Sequence, residues 1–189
     1  MNAGRAHDAV VQAAARGDDE ALAQLVRAYH DRVYRFGKRA CRDASAADDA
    51  VQDAFAALAR RPEVVRGEGA LPWLYTVVRN ACLRLLRGLR RTHSRLGDRI
   101  DDPDTVAAAA LDPEAALARW QLVERVHRAI AALDQPHREV LILRDLEGES
   151  GPEVCLALGI SAAAMKSRLH RARALVRAQV TQVIRPAAP

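Results

Sequence analysis

Between residues 20 and 41 the apolar side chains Leu22, Leu25, Val26, Tyr29, Val33 and Phe36 recur at steps of three and four. That period lays one apolar stripe along an α-helix. The same period returns in Val51, Ala54, Phe55 and Leu58, in Leu74, Val77, Val78, Ala81 and Leu85, and in Leu117, Trp120, Val123, Ile130 and Leu133. It returns once more in Met165, Leu169, Ala172 and Val176. A chain patterned in this way buries stripe against stripe, and its expected fold class is all-α. Composition agrees. The chain is 50% apolar but only 4% aromatic, so its core is aliphatic. Ala dominates the apolar set and is the best helix former, whereas an all-β chain draws on Val, Ile, Thr and aromatics.

Punctuation divides the pattern. Ser45, with Asp48 three residues later, resembles a helix N-cap. Arg61-Pro62 stops that helix, Gly67 and Gly69 mark a loop, and Pro72 suits the first turn of the next helix. Asp102-Pro103-Asp104 disfavours a continuous helix, because the residue before Pro is pushed out of the helical region. Asp112-Pro113-Glu114 then opens another helix, and Asp134-Gln135-Pro136 a short one running through Leu146. These breaks predict two small helical domains, 1–97 and 114–189, with a linker at 98–113.

The net charge of +5 on 189 residues conceals a segregation. Positions 84–99 hold six Arg against Asp98, giving 6 − 1 = +5. Positions 100–114 hold Asp101, Asp102, Asp104, Asp112 and Glu114 and no base, giving −5. Positions 161–189 hold Lys166, Arg168, Arg171, Arg173, Arg177 and Arg185 and no acid, giving +6. Charge runs are commonly just solvated faces. Two basic blocks, each on an expected helix and built almost wholly of Arg, favour a phosphate-bearing partner.

Other classes are disfavoured. No stretch approaches the ~18 apolar residues of a membrane span. Asp18-Asp19-Glu20 follows only a weak apolar patch, unlike a signal peptide. Cys41, Cys82 and Cys155 are odd in number and lack C-x-x-C spacing, so they are expected as thiols packed in a reducing compartment, and the chain as cytoplasmic. No metal-ligand spacing, phosphate loop or nucleophile elbow is present, so neither cofactor, metal nor enzyme activity is expected.

Gly151 to Gln179 is the most informative stretch. Pro152 to Leu158 predicts a short helix, Gly159 ends it in the left-handed region, and Ser161 caps the next. The second helix has one apolar stripe, several bases and no acid. Helix, Gly turn and basic helix is the helix-turn-helix pattern, whose second helix enters the major groove. The run Arg138-Glu139-Val140-Leu141-Ile142-Leu143-Arg144-Asp145-Leu146-Glu147-Gly148, then Leu158-Gly159-Ile160-Ser161, then Lys166-Ser167-Arg168-Leu169-His170-Arg171-Ala172-Arg173, resembles region 4 of bacterial RNA polymerase sigma factors of the extracytoplasmic-function (ECF) group. The run Asp48-Asp49-Ala50-Val51-Gln52-Asp53-Ala54-Phe55, with Trp73-Leu74-Tyr75 and Arg79-Asn80, is similar to their region 2. The resemblance covers roughly 9–92 and 114–180, in the family's order and spacing.

The resemblance implies a subunit that brings core RNA polymerase to promoters, reading the −35 element and melting the −10 element. Asp48, Asp49, Gln52, Asp53 and Phe55 match the segment that docks on the β′ clamp helices, although Phe55 also suits a core position. Trp73, Tyr75, Arg79, Asn80, Arg84 and Arg87 match the −10-facing block, and Arg90 and Arg91 would extend its phosphate contacts. An Asn reads a base edge with paired donor and acceptor, and aromatics stack on unpaired bases. Trp73 and Tyr75 are equally suited to a core. Lys166, Ser167, Arg168, His170 and Arg171 match the −35-facing helix, Arg171 with the fork that suits guanine. Arg168 lies further round toward phosphate, and His170 is also readable as a plain surface histidine.

There are departures from the pattern. Arg84 stands where many relatives carry Asp, Ala162-Ala163-Ala164 replace larger residues, and Gly151-Pro152 replace an aromatic-acid pair. The implied partners are core polymerase through β and β′, promoter DNA and a cognate anti-sigma factor, without membrane insertion. The acidic linker is implied to thread the polymerase cleft; a plain soluble tether accounts for its composition as well. A stand-alone helix-turn-helix regulator explains 136–180 but not the block from Trp73 to Arg91, and under a purely helical interaction protein no promoter effect is lost on Asn80→Ala with Arg171→Ala.

Overall fold

The computed structural model describes residues 2–41, 44–66, 69–92 and 113–182. Its elements are α1 (Asn2–Ala14), α2 (Asp19–Ala40), α3 (Ala44–Arg60), a 3₁₀ turn at Pro62–Arg66 and α4 (Ala70–Thr92). Then follow α5 (Pro113–Ala132), α6 (Gln135–Leu141), a π turn at Ile142–Leu146, α7 (Gly151–Leu158) and α8 (Ala162–Gln182). Among the described residues there is no strand. The linker expected at 98–113 lies outside the described residues, apart from Pro113.

The first half is a bundle of α1 to α4. Gly17, at φ +88°, turns the chain between α1 and α2. Asp18 caps α2 by accepting the Ala21 N–H at 2.9 Å. Asp19 and Glu20 sit at the positive end of that helix, and Lys38 and Arg39 at its negative end. Its stripe of Leu25, Tyr29, Val33 and Phe36 is buried, as the spacing predicts. At Gly37 the helices nearly touch: a Cβ there would lie 2.9 Å from Val51 Cγ2 of α3 and 3.5 Å from Val78 Cγ1 of α4. Gly37 is buried mid-helix, where Gly costs about 1 kcal/mol against Ala. The close approach of three helices accounts for it.

The second half folds around α8. α6 and α5 pack along it, and Met165, Leu169 and Ala172 supply its buried stripe. Ser150 and Glu153 form a complete capping box at the start of α7. Gly159, at φ +62°, ends α7, and Ser161 accepts the Ala164 N–H at 3.2 Å to start α8.

Three expectations need correction. Ser45 lies inside the first turn of α3 rather than capping it, since α3 begins at Ala44. The helix expected from Asp134 to Leu146 widens at Ile142 into the π turn, where the Glu147 N–H reaches the Ile142 carbonyl five residues back. Cys41 and Cys82 are joined in a disulfide, with Cα atoms 5.2 Å apart, rather than packed as separate thiols. Cys155 is free, as expected.

The halves do not stand apart. Their buried apolar residues form one continuous cluster, with α4 packed on α7 and α2 on the π turn.

Candidate functional site

Three buried carboxylates, those of Glu139, Glu147 and Glu149, and the Thr76 hydroxyl join the halves. Glu149 is buried and accepts from Arg32 Nη2 at 2.5 Å and from the Tyr75 hydroxyl at 2.7 Å. Glu147, whose side chain is fully buried, accepts from Arg39 Nη1 at 2.6 Å and Arg35 Nη2 at 3.1 Å. Glu139 accepts from Arg79 Nε at 2.8 Å and from Gln135 Nε2 at 2.8 Å. The Thr76 hydroxyl lies 2.9 Å from the carbonyl oxygens of both Pro72 and Ala157. Ions taken out of water need partners, and each acid here has them. Burial, then the hydrogen bond to Glu149, pushes the Tyr75 phenol far above its ordinary range. For Arg32, burial pulls the pKa down, and Glu149 more than reverses this. The π turn makes the seat possible. It ends α6 early and, with Gly148 at φ +72°, turns Glu147 and Glu149 toward α2.

This seat engages part of the expected −10 block. Tyr75 is only 1% exposed and packs edge-on against Phe36 at 4.9 Å. Stacking of Tyr75 on a base is therefore unavailable in this arrangement, because its ring is core and its hydroxyl serves Glu149. Arg79 is held by Glu139. Trp73 is half-buried against the core. Asn80 and Arg84 are exposed. The Arg87 side chain lies outside the described residues, as do those of Arg90 and Arg91.

On α8 the expected residues do come together. Lys166, Ser167, His170 and Arg171 are exposed, and Arg168 is half-buried beside them. Arg173 has a different fate. Its guanidinium forks onto Asp145 at 2.8 and 2.6 Å, and that pairing raises its pKa further. No acid lies between Ser161 and Gln182 to offset the cations of α8.

A third surface lies between α2 and α3. An open hollow of about 500 Å³ is lined by Val26, His30, Tyr34, Asp48, Val51, Gln52 and Phe55. Three of the five residues expected to meet polymerase line it, namely Asp48, Gln52 and Phe55; Asp49 and Asp53 are exposed nearby. Phe55 is half-buried, with its ring 5.9 Å from that of His30, which stacks on Tyr34 at 5.8 Å. Lys38 reaches Asp48 at 3.0 Å and lies over the Tyr34 ring, 5.3 Å from its centroid. Burial lowers the Lys38 pKa, but hydrogen bonds to Asp48 and Tyr34 raise it further. Sequence reasoning missed His30, Tyr34 and Lys38. Their four-residue spacing on α2 carried a signal for a shared face.

Residues 25–92 match the family described as Sigma-70 region 2, and residues 123–176 match Sigma-70, region 4. The chain is 32% identical over 171 residues to the ECF RNA polymerase sigma factor SigM of Mycobacterium tuberculosis, covering 90% of this chain and 82% of that protein. It is 33% identical to the probable RNA polymerase sigma factor RfaY of Xanthomonas campestris, covering 89% of this chain but only 42% of that longer protein. Among solved structures, CnrH in complex with the cytosolic domain of CnrY is similar, with 25% identity, a TM-score of 0.66 and coverage of 92% of this chain and 96% of that one. The sigma factor RpoE of Bartonella quintana, solved with the anti-sigma factor NepR, shares the fold at a TM-score of 0.68 and 20% identity, covering 84% and 95%. With both sigma regions matched in order and a relative of this identity covered over most of its length, the chain belongs to the ECF group of RNA polymerase sigma factors, which are transcription initiation factors rather than enzymes.

Proposed function

We propose that this chain directs core RNA polymerase to promoters, reading −35 DNA with α8 and opening −10 DNA with α4 and the segment before it. The observation that carries this reading is α8 itself. It presents Lys166, Ser167, His170 and Arg171 on one exposed, acid-free stretch, held rigid by a capped Gly turn and by the Met165–Leu169–Ala172 stripe. Arg171 forks onto a guanine edge, Lys166 and Arg168 meet phosphate or base, and Ser167 and His170 read neighbouring edges. Asn80, Trp73 and Arg84, with Arg87, serve the −10 strand, and Arg79 joins them once released from Glu139. Trapping an unstacked base repays part of the few kcal/mol that unstacking costs.

The hollow between α2 and α3 is the polymerase-docking surface in this reading. Asp48, Gln52 and Phe55, flanked by Asp49 and Asp53, offer carboxylates and an aromatic ring to the basic β′ clamp helices; the 114–189 domain engages β. Residues 1–97 and 114–189 act as separate domains on the enzyme, joined by the acidic 98–113 connector. The chain works in the cytoplasm, where its polymerase is. The solved relatives were captured with CnrY and with the anti-sigma factor NepR, which supports control of this chain by a cognate anti-sigma factor.

Binding to core polymerase in low salt tests the reading. The intact chain co-elutes with core enzyme, and Asp48→Lys with Phe55→Ala weakens that binding while leaving the helical content intact. A chain that fails to bind core polymerase overturns it.

A further inference from the structure

We propose that Cys41 and Cys82 form a reversible dithiol–disulfide site whose oxidised state locks the second domain onto the first and lowers promoter activity. The inference rests on the cytoplasmic reading above, because a disulfide in a reducing compartment is usually transient and redox-sensing.

The bond lies where it controls the seat. α2 and α4 run side by side with a constant offset. Gly37 abuts Val78, and one turn further on Cys41 is bonded to Cys82. Glu149 requires both helices at once, Arg32 from α2 and Tyr75 from α4. A covalent tie between the helices therefore fixes the two halves of its receptor. Both sulfurs are buried, Cys41 at 5% exposure and Cys82 at 1%. Bonded sulfurs sit about 2 Å apart, whereas non-bonded heavy atoms rest at about 3.5–4 Å, so reduction pushes the helices apart locally. The nearest turn is closely packed, since even a Cβ added at Gly37 would come within 2.9 Å of Val51 Cγ2. Close-packed interiors transmit such shifts to interfaces that have two arrangements. In the reduced state the Glu149 receptor opens, and Arg79, three residues before Cys82, is freed for DNA.

The chemistry balances by thiol–disulfide exchange. A low-molecular-weight disulfide is attacked by the Cys41 thiolate, at the end of α2, and expels one thiol. The Cys82 thiolate then attacks the mixed disulfide and expels the second. Two protein thiols become one disulfide, and the small disulfide becomes two thiols.

The test uses the full chain treated with glutathione disulfide or with dithiothreitol. Three readouts are taken: thiols open to alkylation after unfolding, the distance between dyes carried by non-cysteine handles at positions 53 and 179, and run-off transcription by the undyed chain with core polymerase. The expected result is one alkylated thiol, Cys155, in the oxidised chain and three in the reduced chain. The dyes are closer in the oxidised chain, and its transcript yield is about fivefold lower or more. A Cys82→Ala chain shows neither redox effect, and a Cys155→Ala chain keeps both. The proposal is overturned by three alkylated thiols after oxidation, or by dye distances that do not differ between states. If neither state transcribes, the sigma reading fails, and the dye distances still decide the redox site.

Discussion

Glu147→Ala is the sharpest probe of the docked arrangement. The carboxylate it removes is fully buried between Arg35 and Arg39, whose side chains keep 30% and 13% exposure. Removing one partner of a buried pair costs about 3–5 kcal/mol, because the other charge is stranded. Arg35 regains water more readily than a dry ion would, so the lower end, about 3 kcal/mol, applies here. At ~1.4 kcal/mol per tenfold, that is on the order of a hundredfold shift from docked toward separated domains. The dye pair at 53 and 179, followed against urea, reads this equilibrium apart from unfolding, which circular dichroism reports. The domain-separation midpoint should fall well below that of the wild type, while the helical transition of the first domain moves little. An unchanged separation midpoint would refute the view that Glu147 holds the halves together.

Other perturbations address separate links. Gly37→Val drives a side chain into Val51, already 2.9 Å from where a Cβ would be, and should destabilise the first domain by about 1–3 kcal/mol in chemical denaturation. Ser150→Ala removes half of the α7 capping box and should cost about 1 kcal/mol. The hydrogen bonds from Ser150 hold the Glu153 carboxyl below its ordinary value. Its stabilisation is therefore complete above the unfolded carboxylate pKa and lost as pH falls through the folded one. The gap between the denaturation midpoints of wild type and Ser150→Ala should accordingly narrow at acid pH without closing, since the Glu153 N–H bond to Ser150 Oγ does not titrate. Arg171→Ala should relax discrimination at one −35 base pair by about 1–3 kcal/mol in competition binding. Arg173→Ala should leave that discrimination intact, since Asp145 already occupies its fork.

Much of this was legible in the chain, for identifiable reasons. Helix periods and caps are local, so Gly159 and Ser161 announce the ends they make. α8 was readable because its bases, stripe and cap lie within one short stretch. The docked seat was not. Glu139, Glu147 and Glu149 look like ordinary surface acids, and their partners Arg79, Arg35, Arg39, Arg32 and Tyr75 lie 60 to 117 residues away. The Cys41–Cys82 bond spans 41 residues without any motif spacing. The π turn has no residue signature, yet it aims both acids. Tyr75 shows the limit most clearly. An aromatic beside Asn80 suits base stacking or burial equally well, and only the packing of Phe36 and Glu149 around it decides.

Run-off transcription with core polymerase, on a library of DNA fragments randomised in both promoter elements, tests the central claim most directly. The reduced chain should select fragments that share two elements at a fixed spacing. Arg171→Ala should relax only the upstream element, and Asn80→Ala should impair only opening at the downstream one. Transcription no greater than that of core enzyme alone, or selection of a single element that both variants affect alike, would contradict the account.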